Sequence, residues 1–348
     1  MKVCIIGGGP AGLHTAASLV SRNIDVTLHE KEPEVGGLYR YSLLPPSRMS
    51  PFSKLLECKN FSLKLNSEVD LQKLKTMEKD FDAFVIATGS PGPRRLSIPG
   101  REHCINGLDI AKSWAGEEPR YNVGSRVLIV GMGDVSMDIT RFLFGWSGAQ
   151  FKFPENALKR VRKVKDVTIT SRRSAHNSAF TNSGLRKVLE IPRLGFWWSE
   201  GKEVTEESRS KLEKLRETHG HNEEDGEKGK CRGWWDRRQR LLNSVREGAR
   251  RLKLMFNTDV KSVERVGSQY KVRMVQNGVP VEECFDSVIS SIGFDEAEAK
   301  GLGLTKPMYR IGWAKYPRGN AERAKEDAQN TVNKIIEMKK MWMPCESI

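Results

Sequence analysis

Gly7-Gly8-Gly9-Pro10-Ala11-Gly12 is the first stretch with the residue types and spacing for chemistry. It fits G-x-G-x-x-G, follows the apolar run Lys2 to Ile6 and opens Ala11 to Ser21, where apolar residues recur at helical spacing. Alone, such a run is an ordinary packing turn. A strand before it, a helix after it and Glu30 at the end of the next apolar run, Asp25 to His29, turn it into a dinucleotide reader. Gly7 makes the tight turn, Gly9 lets backbone approach a pyrophosphate, and Gly12 permits close helix packing. Pro10 and Ala11 start a helix whose unpaired N–H groups face the anion, and Glu30, with Lys31 beside it, would accept from an adenosine ribose.

A second turn of this kind, Gly131-Met132-Gly133-Asp134-Val135-Ser136, follows the apolar Arg126 to Val130, with small Ser136 in place of the third glycine. Its partner strand, Val167 to Ser171, ends in Arg172-Arg173 where a reader of a ribose 2′-hydroxyl would carry an acid. Paired guanidinium groups suit a 2′-phosphate, which makes the second ligand NADPH. The alternative is that both arginines decorate an already basic surface. Gly36-Gly37-Leu38 and Ala87-Thr88-Gly89 are turns similar to those where backbone passes close to FAD in two-dinucleotide flavoproteins, which shifts the first ligand from NAD to FAD.

Elements that position these motifs follow from periodicity. Asp82 to Ala87 reads as a further apolar strand, and the Gly- and Pro-rich Thr88 to Pro99 as the exit from a first domain. Val135 to Phe144 reads as the helix of a second βαβ unit, joined by the basic connection Lys152 to Lys165. Tyr270 to Met274 and Glu283 to Ser290 read as strands, Gly319 to Met338 as a helix, and Glu203 to Arg232 as a solvated helix running into the loop-like His219 to Gly233. The expected fold class is α/β, with two Rossmann-like domains of the glutathione-reductase type. A discontinuous FAD-binding domain would take residues 1–98 and 294–348, and an NADP-binding domain residues 99–293.

A chain of 348 residues fits two cores. No apolar run approaches the roughly 18 residues of a membrane span, so a transmembrane protein is not expected. The start on a buried strand leaves no room for a presequence in this reading. Six cysteines without a C-x-x-C pair argue against a dithiol shuttle and a zinc ribbon, and no metal site is expected. The net charge of +14 attracts acidic partners, whether a protein, a phosphate-rich ligand or nucleic acid. Trp234 and Trp235 ahead of Arg237, Arg238 and Arg240 mix stacking rings with cations, as in nucleic-acid binders; a solvated helix with aromatic anchors is the plainer reading, and no nucleic-acid partner is expected.

The order of these pieces resembles the adrenodoxin reductase family of ferredoxin:NADP oxidoreductases. The likeness runs through both glycine turns, Met137-Asp138, Ser171-Arg172-Arg173, Ala179-Phe180-Thr181 to Leu185-Arg186, Ser290-Ser291-Ile292-Gly293 and Gly312-Trp313-Ala314-Lys315. It implies that NADPH reduces FAD and that electrons leave singly to an acidic [2Fe–2S] ferredoxin. By the same resemblance Gly7, Gly9, Gly12, Glu30, Gly37 and Leu38 hold FAD, Gly312, Trp313 and Gly319 lie near its ring, and Arg172 and Arg173 clamp the 2′-phosphate. Asp138 matches an acid beneath the active site, Arg237, Arg238 and Arg240 form the docking face, and a mitochondrial or mitochondrion-derived location is implied, with cytoplasm the alternative. The chain departs from the family at Ser47, where relatives have histidine, at Asp134, where they have asparagine, and at Gly184, where they have glutamate. Tyr316-Pro317-Arg318-Gly319-Asn320-Ala321 replaces their Gly-Pro-x-Gly-Val-Ile. Competing readings are a flavin-dependent NADPH oxidase or disulfide reductase, and a flavin-binding scaffold with little catalysis.

Overall fold

The structure, a computed structural model, describes residues 1–43, 50–118, 121–148, 151–199, 228–244, 246–297, 303–317 and 321–342. Ser47 and Gly319, and most of the charged 203–232 segment, lie outside them. The chain forms two compact units, Met1–Arg94 with Gly293–Ile348, and Arg95–Ile292.

In the first unit β1 (Lys2–Ile6), β2 (Asp25–His29), β3 (Phe61–Lys64), β4 (Ala83–Ile86) and β14 (Met308–Arg310) form a parallel sheet in the order β14-β4-β1-β2-β3. Both faces of β1 are covered: Val3 and Ile5 pack with α1 (Pro10–Val20), while Cys4 and Ile6 pack against Leu74 of α3 (Leu71–Met77). That is why its sequence is continuously apolar rather than alternating. A short turn α2 (Ser50–Ser53) and the long α9 (Ala321–Trp342) complete this unit, with Val332 and Ile335 of α9 in the α1 core.

The second unit carries a parallel sheet of β5 (Cys104–Asn106), β6 (Arg126–Val130), β7 (Asp166–Thr170), β8 (Leu194–Ser199), β9 (Arg250–Met255) and β13 (Ser287–Ser290), in the order β5-β13-β6-β7-β9-β8. Its helices are α4 (Gly107–Trp114), α5 (Asp134–Leu143), α6 (Glu155–Val161), α7 (Asn182–Leu189) and α8 (Lys228–Leu242). An antiparallel meander, β10 (Thr258–Val266), β11 (Gln269–Gln276) and β12 (Val279–Phe285), packs Val263, Val272, Met274 and Phe285 against Leu128, Val130 and Val288 of the parallel sheet.

Three expectations change. Glu283 to Ser290 is two strands of different sheets, because the Asp286 carboxylate takes the N–H groups of Ser125 and Arg126, each at 2.9 Å, and turns the chain out of the meander. The connection Lys152 to Lys165 contains the helix α6. Residues Lys228 to Gly233, expected in a loop, are the first turns of α8.

Candidate functional site

In the first unit the chain winds outward from β1 through β2 to β3 and then crosses to β4 and β14, and in the second it runs from β6 through β7 to β8, returns in β9 and then crosses to β13 on the other side of β6; each crossing leaves a crevice at the carboxyl ends of the strands. In the first unit that crevice lies beyond β1 and β4. Parallel register aligns Ile6 with Ile86, so the Gly7 turn and the Ala87-Thr88-Gly89 turn leave the sheet side by side. Gly7 has φ +106°, and an added Cβ would overlap the Ala87 carbonyl; Gly12 is packed against the Gly7 carbonyl. Gly9, between them, is different: a Cβ there would meet nothing within 4 Å. Gly9 caps α1, whose first-turn N–H groups have no intrahelical acceptor, so open space lies before an array of donors. This cradle fits the pyrophosphate of a dinucleotide.

The other expected residues of this unit gather around it. Glu30 is buried at the end of β2, and its carboxylate accepts from Gly8 N–H at 2.7 Å and Glu32 N–H at 3.0 Å. Those bonds fix the acid beside the glycine turn. Gly36 N–H donates to the Gly8 carbonyl at 2.7 Å, and Gly37, at φ +51°, runs its backbone along Gly9, with Leu38 next in the same short turn. From the end of β14, Gly312 abuts Ala11, where an added Cβ would sit 2.8 Å from the Ala11 Cβ. Trp313 follows, half-buried, its ring centroid 5.0 Å from that of Phe294. Lys31 is exposed, 3.9 Å from the Glu32 carboxylate.

The second unit repeats the arrangement beyond β6 and β13. Gly131, at φ +106°, is packed against the Ser291 carbonyl, whereas a Cβ on Gly133, the cap of α5, would meet nothing within 4 Å. Ser136 earns its place as the third small residue: it is fully buried, and its hydroxyl donates to the Gly131 carbonyl at 2.7 Å, bracing the turn from inside the helix. Val135 is 44% exposed at the helix start. Arg172 and Arg173 stand exposed just past β7, and among the described residues neither carries an ion pair. Asp138, one turn into α5, is held by Arg141 at 3.0 Å; burial pushes its carboxyl above the usual range, opposed by that guanidinium.

Two departures that sequence reading treated separately form one contact. The Asp134 carboxylate accepts from Thr181 N–H at 2.7 Å and Thr181 Oγ1 at 3.0 Å, and Thr181 is the cap of α7, its hydroxyl accepting from Gly184 N–H at 2.9 Å. In a capping box the cap N–H is taken by the side chain three residues on. Here that residue is Gly184, whose missing Cβ would lie 2.5 Å from Asp134 Oδ1. Asp134 supplies the acceptor from another helix, and glycine makes room for it.

One expected docking residue is corrected. Arg237 and Arg240 are exposed on α8, but Arg238 is 0% exposed and its guanidinium is unavailable to a partner. Its Nε donates to Asn182 Oδ1 at 3.0 Å, its terminal nitrogens donate to the carbonyls of Ala175, Ser178 and Phe180, and it lies 4.1 Å from the ring centroids of both Phe180 and Trp234. Helical spacing held the signal. Trp234, Arg238 and Leu242 share one face at four-residue steps, while Arg240 lies about 200° around the helix from Arg238.

Comparison with known proteins gives the chain a family and a fold. A family model described as pyridine nucleotide-disulphide oxidoreductase matches residues 1–190. A probable mitochondrial NADPH:adrenodoxin oxidoreductase of Dictyostelium discoideum is 28% identical over a match covering 62% of this chain and 47% of the relative. The counterpart in Saccharomyces cerevisiae is 31% identical, the match covering 56% and 46%. These matches thus span about half the length of those relatives. The NADPH-ferredoxin reductase FprA of Mycobacterium leprae is 25% identical, with 96% of this chain and 83% of the relative matched. Among solved structures, Mycobacterium tuberculosis FprA in complex with NADPH superposes with a TM-score of 0.79 at 21% identity, covering 100% of this chain and 87% of that one, a likeness of fold. The chain belongs to the pyridine nucleotide-disulphide oxidoreductase family.

Proposed function

We propose that the chain is an NADPH-dependent flavoprotein reductase of ferredoxin, with FAD in the first unit and NADPH in the second. The carrying observation is the pair of open glycine cradles, Gly9 and Gly133, each at a helix start beyond a parallel sheet, the first flanked by the tightly packed Gly7 and Gly12 and the second by tightly packed Gly131 and buried Ser136. FAD, when bound, accepts a hydride from NADPH and releases the electrons singly. The chain's own residues bind and orient. Gly7, Gly9, Pro10, Ala11 and Gly12 present backbone to the FAD pyrophosphate, and Glu30, fixed by Gly8 and Glu32, faces the adenosine ribose. Gly37, Leu38, Ala87, Thr88 and Gly89 wall the same crevice, Gly312 and Trp313 border the flavin ring, and Lys31 lies at the rim. In the second unit Gly131, Gly133, Asp134 and Val135 present their backbone to the NADPH pyrophosphate, and Arg172 and Arg173 take the 2′-phosphate. Asp138, one turn into the helix that follows Gly133, has its carboxyl pushed above the usual range by burial and opposed by Arg141.

The acceptor we propose is an acidic [2Fe–2S] ferredoxin, docked on the exposed Arg237 and Arg240 of α8 together with Arg186 and Lys187 of the neighbouring α7. The +14 charge supports long-range attraction of such a partner. Names of the Dictyostelium and Saccharomyces relatives support a mitochondrial or mitochondrion-derived location. The reading is tested by releasing the nucleotide from natively purified protein. Stoichiometric FAD is expected; protein that neither carries FAD nor takes it up on reconstitution contradicts the proposal.

A further inference from the structure

A guanidinium that is fully buried with no carboxylate bonded to it among the described residues calls for another explanation of its five donors. The acceptors of Arg238 are almost all carbonyls of one loop. That loop starts at Arg172 and Arg173, past β7, and ends at Thr181, the cap of α7. Arg238 Nη1 lies 2.9 Å from the Ala175 carbonyl, 3.4 Å from that of His176 and 3.2 Å from that of Ser178, while Nη2 takes the Phe180 carbonyl. Serine bonds close the near end: Arg173 N–H donates to Ser171 Oγ at 3.0 Å, and Ser178 Oγ donates to the Ser174 carbonyl at 2.9 Å.

We propose that Arg238 is the positioning residue of the 2′-phosphate site, pinning from below the loop that begins with Arg172 and Arg173 and supplying a buried positive charge beneath it. This rests on the reading of Arg172 and Arg173 as the phosphate clamp. Burial pushes the Arg238 pKa down to about 10, which leaves it charged at neutral pH. The groups it bonds among the described residues are neutral dipoles; the Asp134 carboxylate acts on it through space and offsets part of its charge, and the remainder adds to the field of the two exposed arginines. Lysine reproduces the charge but not the span, because an ammonium cannot present a planar fork to carbonyls five residues apart.

The test compares binding of 2′,5′-ADP and 5′-AMP to the full-length FAD-loaded protein by calorimetry, which needs no turnover. In the unsubstituted protein 2′,5′-ADP should bind more tightly. Arg238→Met should cut that preference about tenfold or more while 5′-AMP affinity and FAD content hold, Arg238→Lys should recover part of it, and ethylguanidinium added to Arg238→Ala should restore it. Preference unchanged in Arg238→Met, or an equal loss of both ligands, overturns the proposal and leaves Arg238 a packing residue. If Arg238→Met does not fold, Asn182→Ala, which removes the Nε acceptor together with the Asn182 Nδ2 bond to the Trp234 carbonyl but leaves the guanidinium in place, carries the same reading: a lowered preference supports the proposal and an unchanged one overturns it. An unsubstituted protein with no preference for 2′,5′-ADP instead sinks the clamp itself.

Discussion

Replacing Gly184 by alanine should have opposite signs in two backgrounds. In the unsubstituted protein the new Cβ falls 2.5 Å from Asp134 Oδ1, about 1 Å inside ordinary contact distance, so the carboxylate must leave Thr181. Losing the acceptor of a helix cap costs about 1–2 kcal/mol at a partly exposed site such as this. Against that, alanine in place of glycine within a helix gains about 0.5–1 kcal/mol. The net effect in the native background is a loss of up to about 1.5 kcal/mol. With Asp134→Ala already made, the nearest remaining neighbour of the methyl is Thr181 Oγ1 at 3.3 Å, a hydroxyl free to give by a few tenths of an ångström, and most of the gain appears. The cycle therefore carries a coupling of about 1–2 kcal/mol, beyond the few tenths by which independent sites depart from additivity. Because the protein has two units, global unfolding is a poor reporter, and hydrogen exchange at the Thr181 amide and along α7 reads the local opening free energy, about tenfold in rate per 1.4 kcal/mol. Greater protection in Gly184→Ala alone, or additive effects, would refute the interlock.

Gly9→Val should fold, since Gly9 has φ −73° and an open Cβ direction, yet emerge without FAD; Gly133→Val should retain FAD and lose response to NADPH, both read by absorbance. Retained flavin in Gly9→Val would move the pyrophosphate elsewhere. Removing Arg172 and Arg173 together should lower the preference for NADPH over NADH by roughly 30- to 150-fold, two charge-assisted contacts discounted for their exposure, as kcat/KM ratios would show. His29 and His14 are held below their ordinary 6.5, first by burial and then by nearby lysines, Lys73 and Lys64 for His29 and Lys325 for His14. The unfolded chain thus binds more protons than the folded one as pH falls through 6.5, and stability declines with acid. His29→Gln, which keeps a donor for Ser67, should flatten the acid side of the Tm profile; an unchanged slope would contradict this assignment.

Both glycine turns were readable because their residues answer to local demands that leave a mark in the sequence. A left-handed turn against a carbonyl admits little but glycine, at Gly7 and Gly131, and a buried parallel strand is apolar along its length. The meander was partly hidden: β10 reads TDVKSVERV, with a bulge between Val260 and Ser262 that breaks its alternation, and Asp286 parts two sheets only through bonds to residues about 160 positions earlier. Asp134 and Gly184 each looked like erosion, since their relation exists only once α5 and α7 are side by side. Arg238 was grouped with its neighbours by charge, although helix geometry already set it on the face of Trp234.

The central claim, two dinucleotides serving one reduction, is tested most directly by following the flavin absorbance of the purified protein under strictly anaerobic conditions while NADPH is added. Stoichiometric NADPH should bleach the flavin band, NADH should do so far less effectively, and oxidised [2Fe–2S] ferredoxin added afterwards at two or more equivalents per flavin, each taking one electron, should restore the band. Bound FAD that NADPH leaves oxidised would contradict the account.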